Sequence, residues 1–300
     1  MFIVKHKKIF ISISVVLVVL SAIAMFYFGF NVGIDFKGGA LMEVSYDGIR
    51  PEKESLISEI DGLNIGSVLL QPTGERGYIV KSRDLSDVEH TTLLKTLSFE
   101  GKNTLKEISF NSIGPSVGAE LTRKALVAVF LVSVAIIFFI AMAFRKVSRP
   151  VSSWKYGVIA VIALIHDVVI SSGVFVLLSH FFGAELDALF VVAVLTILGL
   201  SVSDTIVIFD RIRENTKNEG DHKNINFKEV VGHSLDQSFV RSLATSMTVI
   251  LVLLSLVFFG PEPTKFFAIM LTAGMFFGTY SSIFLASPLL VLAEEMQSKK

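Results

Sequence analysis

The stretch LGLSVSDTIVIFDRIREN, residues 198–215, places an aspartate, Asp204, inside an otherwise apolar run. An unpaired charge in hydrocarbon costs about 2.5–3.5 kcal/mol on insertion scales, so such residues mark ion pathways or buried pairs. Ser203 precedes it, and Thr196, Gly199 and Ser203 recur at helical spacing, lining one face with Asp204 beside it. A later apolar run carries Arg241, Thr245, Thr248 and Ser255 at i, i+4, i+7 and i+14, a polar stripe headed by a permanent cation. Pairing Asp204 with Arg241, directly or through water, lowers the cost of both. A neighbouring guanidinium favours the ionised carboxyl and burial favours the neutral one, so the pair could gain and lose protons and act as a switch. The plainer alternatives are a structural hydrogen bond for Asp204 and a basic anchor at a helix end for Arg241. A second cluster, His166 and Asp167 in LIHDVVISSG, reads as a satisfied core pair. Adjacent positions are expected to point to different helix faces, which argues against a metal site.

These residues need elements that cross a membrane. The chain has 300 residues, 52% hydrophobic and 18% charged, and a formal net charge of zero. That composition belongs to the membrane class and gives no reason to expect a nucleic-acid partner. Cysteine is absent, which excludes disulfides, thiolate metal sites and cysteine nucleophiles. Apolar runs of roughly 20 residues occur at Ile9–Phe30, Ala125–Phe144, Gly157–Ser179, Ala188–Phe209, Ser242–Phe259 and Phe266–Leu292. The fifth is the shortest and is expected to borrow a turn from the polar residues before it. The first resembles a signal peptide, with Lys5, Lys7 and Lys8 ahead of it, but its apolar core runs on past the small residues Ala22 and Ala24. It reads as an uncleaved anchor. Basic residues crowd the N-terminal flank and RKVSRPVSSWK, between spans two and three, while SHFFGAELD has no Lys or Arg. Both termini are therefore expected in the cytoplasm.

Residues 31–124 then lie outside and are patterned as a domain. ALMEVSY alternates like a strand, PEKESLISEI keeps helical spacing, and SVLLQ and YIVKS flank the turn PTGERG. SDVEHTTLLKTL opens with a serine cap and Glu89 three residues later, and TLKEISF closes as a strand. The order βαββαβ predicts a ferredoxin-like α+β domain. The expected organisation is residues 1–30 for the N-terminus and first span, 31–124 for this domain, 125–293 for a five-helix bundle with a solvated loop at about 210–241, and 294–300 for a cytoplasmic tail. Gly274 and Gly278 read as a close-packing surface. No GxxxxGK[ST], HExxH or GxSxG occurs, so a gradient or a partner has to supply any energy.

Several motifs resemble the SecD/SecF family, within the RND superfamily. GIDFKGG, residues 33–39, is similar to the family's G-x-D-F-x-G-G after the first span, and GPSVGAEL, 114–121, to its G-P-x-V-G-x-E-L. The stretch around Asp204 resembles the SecF form GYSxNDTIVxxDRIREN, with Ser203 where Asn is usual and Leu200 where Tyr is usual. SLDQSFVRSLATSMT and GTYSSIFLASPLL are similar to the fifth-span motif and the ending. The length and six spans fit the SecF form rather than the longer SecD. The resemblance implies a non-enzymatic membrane subunit that works with SecD beside the SecYEG translocon, with YajC and YidC as further partners. It would draw exported unfolded polypeptides outward at the expense of a proton or sodium gradient, with no cofactor. It also implies proton coupling at Asp204 and Arg241, helped by Ser203 and Thr245, with His166, Asp167 and Thr248 as secondary polar positions. Gly33, Asp35, Phe36, Gly38 and Gly39 would couple domain to membrane. Two other readings fit parts of the pattern: half of an RND-type proton-coupled exporter of small solutes, and an intramembrane aspartyl protease with an Asp167–Asp204 dyad.

Overall fold

The computed structural model describes residues 2–63, 65–144, 151–219 and 226–298. Arg145, Lys146 and Arg149 of the basic connection, and 220–225 of the loop after the fourth span, lie outside the described residues. In chain order the elements are α1 (Phe2–Lys5), α2 (Lys7–Phe28), α3 (Ile34–Lys37), β1 (Gly39–Tyr46), α4 (Lys53–Asp61), β2 (Leu69–Thr73), β3 (Gly77–Ser82), α5 (Asp87–Leu97), β4 (Leu105–Ile113), α6 (Pro115–Ala143), α7 (Ser153–Phe182), α8 (Ala188–Asn218), α9 (Phe227–Phe259), α10 (Lys265–Ser281) and α11 (Ser287–Ser298). Ser282–Ala286 between the last two is π-helical. The helices separate into two compact units, Val32–Leu126 and the remainder.

In the first unit the sheet order is β2-β3-β1-β4 with every pair antiparallel, a ferredoxin-like arrangement. Alternation along β1 turns Met42, Val44 and Tyr46 inward against Leu56 and Ile60 of α4 and Leu93 and Leu97 of α5. Pro72 is tolerated in β2 because that strand lies at the sheet edge. α5 starts with a complete capping box: Glu89 N donates to Ser86 Oγ (3.4 Å) and Ser86 N to Glu89 Oε2 (2.9 Å). Arg83 also donates to Glu89, and together with the Ser86 backbone it pulls this carboxyl from its ordinary 4.5 down to about 2.

The GIDFKGG motif folds as the single turn α3 followed by Gly38 and Gly39, at φ +78° and +137°. It meets the GPSVGAEL motif at the start of α6. A Cβ on Gly38 would come within 2.9 Å of Pro115 Cα, and one on Gly118 within 2.9 Å of Gly38 N and 3.0 Å of Phe36 O. Only glycine at both positions lets the two backbones touch.

Among the described residues, six helices are long and apolar enough to span a membrane. α8 and α9 run far past their apolar cores. The region 210–241, expected as a solvated loop, is helical up to Asn218 and again from Phe227, because Ile212, Thr216, Val230, Val231, Ser234 and Leu235 pack inward. α10 packs on α7, α8 and α9. Its approach to α8 depends on Gly274, where a Cβ would lie 2.3 Å from Ile197 Cγ1. The π-helical stretch has a local cause. Pro288 has no N–H for Phe284 O and its ring crowds that carbonyl, so the preceding turn widens, and Ser287 Oγ donates to Ser282 O (3.0 Å).

Two predictions follow from this packing. Gly274→Ala should destabilise the detergent-solubilised protein by about 1–3 kcal/mol through overpacking, and Ile197→Ala should recover most of that loss in the double variant; additive losses would refute the contact. In the ferredoxin-like unit, a carboxyl depressed to about 2 adds stability above its unfolded value of 4.5, and that stability is lost as pH falls from 4.5 toward 2. Amide exchange of α5, corrected for its intrinsic pH dependence, should speed up across that window in the wild type and show a flatter profile in Glu89→Gln.

Candidate functional site

The chemistry inside the bundle gathers around α10. Thr279 and Ser281 are two residues apart, about 200° around the helix, and so serve opposite sides. Ser281 Oγ donates to Asp167 Oδ2 (2.8 Å), and Ser201 of α8 donates to the same oxygen. On Asp167's other oxygen, His166 Nδ1 is bonded at 2.8 Å. The two side chains expected on different faces therefore meet, since each is long enough to close the 100° between them. Asp167 is 0% exposed and His166 3%. The histidine ring stacks on Tyr280, and its Nε2 has no hydrogen-bond partner among the described residues.

Thr279 faces the other carboxyl. Asp204 Oδ2 accepts from Ser246 Oγ of α9 at 3.2 Å and from Thr279 Oγ1 at 3.4 Å. Thr279 has one hydroxyl proton and three acceptors in reach: Asp204, Ser246 and its own Met275 carbonyl (3.0 Å). Below them Thr205 and Ser282 hydrogen-bond at 2.8 Å, tying α8 to the π-helical stretch. A hydroxyl both donates and accepts, so this shell can hold Asp204 as carboxylate or as acid without rebuilding.

Of the expected pairing, directly or through water, the structure makes no direct contact between Asp204 and Arg241. Ser246 faces Asp204, and Arg241 lies five residues earlier, about 140° around α9. Arg241, Thr245, Thr248 and Ser255 are exposed along the opposite side, where each hydroxyl bonds a carbonyl of its own helix. Ser203 is likewise exposed, while Asp204 is half-buried at the boundary between the two faces of α8. The residues that sequence reasoning missed are Ser201, Ser246, Thr279 and Ser281. Their signal in the sequence is the small polar residues of LSVSD, SLATSM and GTYSS. Among the described residues no group of three or more His, Cys, Asp or Glu side chains is placed to hold a metal.

A ferredoxin-like domain inserted after the first of six spanning helices, with two carboxyls held by hydroxyls in the bundle, defines a multi-pass membrane protein of the transport class. The comparisons specify which. The family profile "Protein export membrane protein SecD/SecF, C-terminal" matches residues 93–296 and "SecD/SecF GG Motif" matches residues 23–48. The protein translocase subunit SecF of Thermobaculum terrenum is 39% identical, covering 96% of this chain and 92% of that protein; that of Anaerolinea thermophila is 36% identical over the same shares. The crystal structure of SecDF, a translocon-associated membrane protein from Thermus thermophilus, superposes with a TM-score of 0.81 at 30% identity. It covers 98% of this chain, which spans 38% of that longer one. The chain belongs to the SecD/SecF family of protein export membrane proteins.

Membership in a family of translocase subunits sets the protease reading aside, and the geometry agrees, because Asp167 and Asp204 hold separate sets of donors and share none. Their roles should separate on mutation. Asp167→Ala leaves three buried partners unmatched and should cost about 2–4 kcal/mol, at the sub-kcal to 2 kcal/mol typical of each polar contact between spans. Asp204→Ala, with two longer bonds, should cost less than half as much. Melting of the detergent-solubilised variants checks this, and equal losses would contradict it.

Proposed function

We propose that this chain is the SecF-type subunit of the Sec export machinery, and that it works with a SecD partner to draw exported unfolded polypeptides across the membrane using an ion gradient. Both termini lie in the cytoplasm, the ferredoxin-like domain on the far side. SecYEG is the translocon served, with YajC and YidC as further associates. Asp204 carries the coupling ion, a proton in this reading and sodium as the alternative. The observation that supports it is the shell of Asp204: hydroxyls alone, at long distances, on a half-buried carboxyl. Such a shell tolerates a change of charge that the tight, fully buried shell of Asp167 does not. Arg241, Thr245 and Ser203 lie on exposed faces of α8 and α9, where the partner half would complete the path. GIDFKGG, locked against the head of α6, would pass movement between that helix and the external domain.

The test is export of a slowly translocated preprotein in cells depleted of their own SecF, with each variant co-expressed with its cognate SecD. Wild type should restore export. Asp204→Asn, at equal membrane levels, should slow it at least about tenfold, a barrier of about 1.4 kcal/mol. Full restoration by Asp204→Asn overturns the reading. Activity that requires added sodium at constant membrane potential would make the ion sodium.

A further inference from the structure

α9 carries a second polar line that the exposed stripe conceals. Ser234, Ser238, Ser242 and Ser246 recur at every fourth residue, and all four are buried. The top rung, Ser246, donates to Asp204. The bottom rung, Ser234, accepts from Asn215 Nδ2 at 2.9 Å, and Asn215 also reaches Gln237 Oε1 at 2.9 Å. Arg211 Nε donates to the same Gln237 oxygen at 2.7 Å, and this end group is open to solvent. Twelve residues at 1.5 Å each make the line about 18 Å long. We infer that this serine ladder is the proton route between Asp204 and the membrane face bearing Asn215, with one water bridging each pair of rungs; the inference rests on the coupling role proposed for Asp204.

The spacing fits one water per gap. Successive rungs rise about 6 Å along the axis, and two O–H···O bonds of about 2.8 Å span about that length. The strongest sign is Ser242. Ser234 donates to Val230 O (2.7 Å), and the single hydroxyl proton of Ser246 has Ser242 O (2.9 Å) and Asp204 Oδ2 (3.2 Å) in reach. Ser242 Oγ, on a residue only 2% exposed, has no hydrogen-bond partner among the described residues. Leaving a buried hydroxyl unmatched costs about 1–3 kcal/mol, and close packing of α9 would be served as well by alanine. A serine at that rung is explained by something that binds it, and water in a narrow polar file is the partner of the right size. In transfer, each hydroxyl or water takes a proton from one neighbour and releases its own to the next. Every O–H bond broken along the file is matched by one formed, and the net change is one O–H bond made on Asp204 and one lost by water at the Asn215 end, or the reverse.

The absence of cysteine in the chain permits a direct test in the full protein reconstituted with its SecD partner. S238C and S242C each introduce a single S–H group, whose infrared band exchanges in D2O only where water arrives; L251C, on the exposed apolar side of α9, is the dry control. Exchange at S238C and S242C at least about tenfold faster than at L251C, together with a comparable loss of proton uptake in S242V that is restored in S242T, which has the same shape and keeps the hydroxyl, supports the ladder. S242V uptake within twofold of wild type, or ladder thiols that exchange no faster than L251C, overturns it. D204N measured alongside separates the two readings. D204N without uptake beside dry ladder thiols sinks the ladder alone. D204N with normal uptake sinks the coupling role of Asp204, and with it this route's endpoint.

Discussion

A carboxyl inside a bilayer finds no solvent to donate to it, so the protein has to bring the donors. Here they are hydroxyls, and a hydroxyl on a short side chain reaches only what its backbone approaches closely. That constraint explains the glycines of α10. Without Gly274 against Ile197, and Gly278 with Ser201 Cβ only 3.2 Å from where its own Cβ would be, α10 could not come near enough to α8 for Thr279 to reach Asp204 or for Ser281 to join Ser201 on Asp167. The small-residue positions that let helices pack in membranes are, in this bundle, also what assembles its polar interior.

The two aspartates use the same helix turn differently. Asp167 is sealed, with both oxygens occupied by neighbours from α7, α8 and α10. It fixes where α10 sits. Asp204 shares the single proton of Thr279 with Ser246 and Met275, so small rotations of α10 change what it is offered. The π-helical stretch begins directly after Ser281, and at its wide turn the Ser282 and Ser287 hydroxyls donate to the carbonyls of Gly278 and Ser282.

Much of this was legible in the chain. Period-two alternation, the Ser86–Glu89 capping box and the turn at 72–77 specified the βαββαβ order, because a half-wet domain writes its core face into its sequence. The bundle hides that information. Lipid is as apolar as a helix core, so no polarity contrast tells which side of α9 faces protein, and two polar lines offset by about 140° read equally well. The eye follows the one with the arginine. The structure instead packs the serine line inward and leaves Arg241 outside. The length of α8 and α9 was obscured for the opposite reason: charged residues such as Arg211 and Glu214 pair along the helix surface at i,i+3, and they mask the Ile212 and Leu235 periodicity beneath.

The outward polar face also bears on why this chain needs a partner. Gly199 and Ser203 are exposed and Asp204 partly so on α8, and Arg241, Thr245 and Thr248 are exposed on α9. α7, α8 and the helix containing α10 are the most buried spans; only 22% of the apolar window of α9 is covered, against 67% for the last span. Guanidinium at a helix end can snorkel, but a half-exposed carboxyl in the middle of a span cannot. Facing hydrocarbon, it would forfeit about 2.5–3.5 kcal/mol, which the two long hydroxyl bonds of this chain do not offset. A polar surface supplied by a second bundle would offset it, because it would bring to the exposed side of Asp204 the donors that this chain places only on the other.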